Sequence, residues 1–199
     1  MSVWVPSWIF ISLALVASVI DLETFTLPDI LLLWGALLGL GVAFFFPELR
    51  GVSGNLTNFL NAFKDGLLAT GAFLWLGFLF ESALKKPAFG LGDAFWIGVL
   101  AVFISVWGAL FSVLAGAVLG TIFMAIAFCL ERFFGIIIGP RASLGDLKSM
   151  DPSDLAESIS APPIGFGVAI PFGPWLSLGG VIYFFFLQSH EKDFLQMFL

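Results

Sequence analysis

The sequence is poor in almost everything that water-soluble chemistry uses. Of its 199 residues only 11% are charged, and it holds one cysteine, one histidine and one tyrosine. A single thiol, Cys129, cannot close an internal disulfide, and no Cys/His spacing suggests zinc or any other metal. Cys129 sits in an apolar stretch and is expected as a buried structural thiol. His190 stands alone on a polar tail and is expected to be solvated. The few cations form no cluster, which argues against a nucleic-acid partner. The net charge of −6 comes from acids scattered over loops and ends, and it points to no basic partner either.

What the chain has is apolar surface. Hydrophobic residues make up 60% of it, against about 45–50% in a soluble domain, and the mean hydropathy is +1.07. A soluble core of this size cannot hide that much, so a lipid bilayer is the expected solvent. The composition predicts an all-α, polytopic integral membrane protein of about six transmembrane helices, forming a single membrane-embedded domain over residues 1–199. Candidate spans are Val3–Ile20, Asp29–Phe46, Ala62–Phe80, Phe95–Trp107, Leu110–Leu130 and Ile164–Leu187. The first lacks a basic leading segment and a clean small-residue cleavage site, so it is expected as a retained helix and not a signal peptide. From Ala94 to Leu130 there is no charge at all. That length suits two spans joined by a tight turn near Trp107-Gly108 better than one span of about 20 residues.

The polar segments are Asp21–Pro28, Pro47–Asn61, Ser82–Gly92 and the longest, Glu131–Pro163, which Pro162-Pro163 closes. Lys85, Lys86, Arg132, Arg141 and Lys148 fall on one side of the predicted membrane, and Arg50, Lys64 and Lys192 on the other. The positive-inside rule puts the first set in the cytoplasm, with Asp21 and Asp93 at the cytoplasmic ends of their helices. Gly35-x-x-x-Gly39 and Gly116-x-x-x-Gly120 allow close helix approach, expected within one subunit. Trp4, Trp8, Trp107 and Trp175 lie near predicted span ends, where indole rings favour the interface.

Charged groups at membrane depth are costly and are candidates for function. Asp21 follows an apolar run directly, and Asp93 sits in Gly90-Leu91-Gly92-Asp93 just before the uncharged stretch. The topology brings both to one membrane face. Two carboxylates within a few ångströms share a proton and titrate as a unit, which is what an aspartic protease needs to activate water and protonate a peptide carbonyl. The plainer reading is helix capping. Asp93 and Asp29 each precede a helix and suit an N-cap. Asp21 lies at a C-terminal end, where its charge opposes the helix dipole, and capping does not explain it.

The stretch Asp21-Leu22-Glu23-Thr24-Phe25-Thr26-Leu27-Pro28-Asp29 resembles the first active-site motif of type IV prepilin peptidases, and Trp34 with the glycine-rich helix after it also fits. Gly90-Leu91-Gly92-Asp93 resembles their second motif, and Ile170-Pro171-Phe172-Gly173-Pro174-Trp175-Leu176 their last-helix signature. The resemblance implies that Asp21 and Asp93 are a catalytic dyad, that Gly90, Gly92, Pro28 and Asp29 shape the motif loops, and that no cofactor is used. It implies an aspartic endopeptidase of the inner membrane, cutting leaders from prepilin-like precursors (type IV pilins, pseudopilins or archaellin-like proteins) at the cytoplasmic face. Where that family usually has Lys two residues after the second Asp, this chain has Phe95. It also lacks the N-terminal cysteine pairs of the bifunctional enzymes, so it resembles the short forms, without methyltransferase activity. Presenilin-like proteases share Gly-x-Gly-Asp, but the one tyrosine, Tyr183, precedes Phe184 and no Pro-Ala-Leu occurs. Two other classes stay open: an inactive protein of the same fold that binds pilin-like helices, and a small cation- or proton-coupled transporter.

Overall fold

The computed structural model describes residues 4–52, 54–84, 90–134 and 171–187, and among these all regular structure is helical. The elements are α1 (Trp4–Thr24), α2 (Asp29–Phe45), a short 3-10 turn (Pro47–Arg50), α3 (Asn55–Leu84), α4 (Leu91–Phe134) and α5 (Gly173–Ile182), which runs on as a π-helical turn (Tyr183–Leu187). The readings placed on Lys85-Lys86, on the polar loop over 135–163, on the start of the last span at 164–170, and on His190 and Lys192 fall outside the described residues.

The chain parts into two compact units, residues 1–119 with 171–199, and residues 120–170. Of the second, the described part is the final turns of α4. There Cys129 is exposed, not buried as expected. Burial of that thiol needs an element packed on its face of α4, and none of the described residues covers it.

Three described helices, Trp4–Thr24, Asn55–Ala83 and Leu91–Ala127, are long and apolar enough to cross a membrane, and Asp29–Phe45 and Gly173–Phe186 are shorter apolar helices. Their outer faces carry large bare side chains, including Leu33, Trp34, Phe78 and Phe186. Contiguous apolar surface of that kind is not sustained in water. Helices and surface together fit a membrane protein.

The uncharged stretch is continuous helix except at Ser105, whose φ of 71° and ψ of 168° break it. Before the break, Trp96 bonds to Ser177 and Leu100 packs at Gly180, so both chains advance together. After it, Gly108 lies against Tyr183, Ser112 against Gly179 and Gly116 against Trp175, so one chain advances while the other retreats. The chain therefore reverses at Ser105. The expected hairpin is present, but its turn falls before Trp107-Gly108, because Gly108 is occupied in packing on the Tyr183 ring, 2.6 Å from where its Cβ would stand.

The glycine stripe of α2 packs inside the subunit. A Cβ at Gly35 would stand 3.0 Å from Leu13 of α1 and from Val99 of α4, and one at Gly39 would stand 2.8 Å from Phe103 and Val102. Absent side chains let α2 nest against both neighbours. At the other end of α2, Arg50 pairs with Asp65 of α3 and the buried Asn58 amide donates to the Ala43 carbonyl at 2.6 Å. These polar links tie the end of α2 and the turn after it to α3.

Candidate active site

The site forms where α1 ends, α4 begins and α5 begins. Asp21 lies in the last turn of α1 and is 3% exposed. The helix stops at Thr24, and Phe25 takes the left-handed conformation, φ 53°, while its N–H still reaches the Asp21 carbonyl at 2.9 Å. That conformation reverses the chain at a helix end and is usually left to glycine. Leu27 then lies on Gly92, where a Cβ would come within 3.3 Å of the Leu27 Cβ. A side chain at position 92 would push the α1–α2 turn away from α4.

Pro28 occupies the N-cap position of α2, without a side-chain cap bond, and Asp29 is the first helical residue. The expectation that Asp29 caps is corrected: Pro28 takes the cap position and fixes the extended entry, and Asp29 is exposed in the first turn. Asp93 is not an N-cap either. The helix starts earlier, at Leu91, and the Asp93 and Ala94 amides donate to the Gly90 carbonyl at 3.1 and 3.3 Å. Asp93 thus sits in the first turn, partly buried, beside the bare Cα of Gly90.

Two arrangements follow. The carboxyl groups of Asp21 and Asp93, distant in sequence, are close enough to interact electrostatically. And Oδ2 of Asp21 accepts the backbone N–H of Gly173, the first residue of α5, at 2.8 Å. The negative end of α1 is a poor place to bury a carboxylate; the positive N-terminus of α5 offsets that cost. One turn further along, the Trp96 indole donates to the Ser177 hydroxyl at 3.1 Å, tying the start of α4 to the start of α5.

Beside the pair, between α2, α3 and α4, lies a cavity of about 470 Å³. Leu33, Phe63, Leu67 and Val102 make its walls, with Asp29 the one charged lining residue and Phe95 on the α4 side. Neither Asp21 nor Asp93 lines it. Sequence reading brought Asp21, Asp93, Gly90 and Gly92 to one place, as the structure does. It missed the Gly173 amide. The available signal was Gly173-Pro174, since proline in the first turn marks a helix start with free amides.

Apolar helices with bare outer faces, whose ends bring buried Asp21 near half-buried Asp93, fit a membrane protein. Residues 8–125 match the family model of the type IV leader peptidase family, and the chain belongs to that family. No curated protein and no solved structure matches it. The family match includes both Asp21 and Asp93 and ends before Gly173.

Proposed function

We propose that the protein is an intramembrane aspartic endopeptidase that removes the leader from prepilin-like precursors at the cytoplasmic face of the inner membrane. The observation that supports this most is the convergence of Asp21 and Asp93 at one end of apolar helices, in a chain of the leader peptidase family. In this reading one carboxyl is ionised and the other protonated, as required of two acids at close range. The ionised one takes a proton from water as the oxygen attacks the scissile carbonyl carbon. The protonated one gives its proton to the carbonyl oxygen. When the tetrahedral intermediate collapses, the C–N bond breaks, the amine leaves with the proton taken from water, and the second acid recovers its own. No metal and no covalent intermediate enters.

The reading carries a topology. α1, α2, α3, the two arms of α4 and α5 make six crossings of one membrane-embedded domain, with the loop over 131–163 and the dyad on the cytoplasmic side. The test is cleavage of a prepilin-type precursor by the purified protein in detergent, with the new N-terminus read by mass spectrometry. Loss of a leader-sized fragment with the parent, and none with Asp21→Asn or Asp93→Asn, is the expected result. An intact precursor bound equally by all three proteins would instead favour an inactive helix-binding protein, and ion-dependent uptake a transporter.

A further inference from the structure

We infer that the backbone amide of Gly173 is a positioning group for the carboxyl of Asp21, so that α5, beyond the family match, completes the site. The inference rests on the aspartic-protease reading above. Asp21 is 3% exposed, and its Oδ2 is held at 2.8 Å by the Gly173 N–H. An oxygen that accepts an N–H bond is the better acceptor of the two when it carries no proton, so the bond favours Oδ1 as the place for a proton that Asp21 takes from water. The same bond orients the carboxyl plane. Gly173 is required in this place for a steric reason as well. A Cβ there would fall 2.7 Å from Oδ2 and 3.0 Å from Cγ of Asp21, against the ~3.5 Å at which non-bonded atoms rest. Trp96–Ser177 holds the same helix start against α4, the helix that carries Asp93. The amide and the two acids thus form one unit built from three helix ends.

Two variants of the full-length protein test this. Gly173→Ala forces the carboxyl aside. Replacing the 172–173 amide by an ester removes the N–H and adds no atom. Misplacing a reacting group by about 1 Å costs about a hundredfold in rate, so both variants are expected to lose about that much kcat on a prepilin-type precursor, with KM unchanged. Gly39→Ala is the control. It also introduces a helix–helix clash, 2.8 Å from Phe103 and Val102, but between α2 and α4 and away from α5. It is expected to leave kcat per folded molecule as in the parent, whatever its effect on thermal stability. An ester variant with parental kcat overturns the inference, and so do Gly173→Ala and Gly39→Ala losing kcat in step. A parent that cleaves, fails with Asp21→Asn and is indifferent to the ester keeps the protease reading and loses only this inference. A parent that cleaves nothing overturns both.

Discussion

Two glycines close together on α2 should respond unequally to the same substitution. A methyl at Gly39 would stand 2.8 Å from Cε2 of Phe103 and Cγ1 of Val102, whereas one at Gly41 meets nothing within 4 Å. Carbon atoms rest about 3.5–4.0 Å apart, so at Gly39 the gap is short by roughly 0.7 Å. Val102 is β-branched and stiff in a helix, so it does not swing away. Overpacking of that order costs about 1–3 kcal/mol. Alanine is favoured over glycine in a helix by about 0.8–1.0 kcal/mol at either position. Gly41→Ala should therefore stabilise by that amount, and Gly39→Ala should be neutral to destabilising by about 2 kcal/mol. The difference between the two variants is the cleaner quantity. The propensity gain cancels in it and leaves the clash of about 1–3 kcal/mol. Reversible unfolding in mixed micelles, both variants beside the parent, measures it. Equal shifts of the same sign would refute the seating of α2 on α4 through Gly39.

The Arg50–Asp65 pair is nearly buried, and Arg50 also keeps an unpartnered nitrogen, Nη1. Arg50→Met alone should cost about 3–5 kcal/mol because it strands a buried charge, while Arg50→Met with Asp65→Leu should be neutral or stabilising; a double-mutant cycle by chemical unfolding reads both. Activity per folded molecule should survive in the double variant, because α2, at about 1.5 Å per residue, puts that corner far from Asp21. Trp96→Phe should lower stability by about 1–3 kcal/mol, since the Ser177 hydroxyl loses its indole donor in a buried place. Ser177→Ala in the same background should then add little, and an additive loss would count against the bond.

Much of this was readable in advance, and the failures have physical causes. The helices follow from unbroken apolar runs, since a chain in lipid must satisfy its amides internally. The expected topology put Asp21 and Asp93 on one membrane face, and the resemblance to the prepilin peptidases implied that they pair. The hairpin turn falls at Ser105, just before the Trp107-Gly108 pair near which it was expected; Ser105 carries no breaker's mark, and its hydroxyl accepts the Gly108 N–H at 3.5 Å. The capping roles given to Asp29 and Asp93 failed because capping depends on where the first helical amide falls, and Pro28 and Gly90 decide that. The Gly173 donor was invisible for a deeper reason: a backbone N–H has no residue type of its own, and its partner lies at the far end of the chain.

The central claim is that Asp21 and Asp93 act as one unit, and kinetics of the double variant test it most directly. Groups that share a step are non-additive: removing either removes nearly all of what both supply. Asp21→Asn, Asp93→Asn and the double variant should therefore have the same residual kcat on a prepilin-type precursor, with substrate binding retained in all. If the double variant falls by the product of the two single losses, or if either single variant keeps parental kcat, the two acids do not form a dyad.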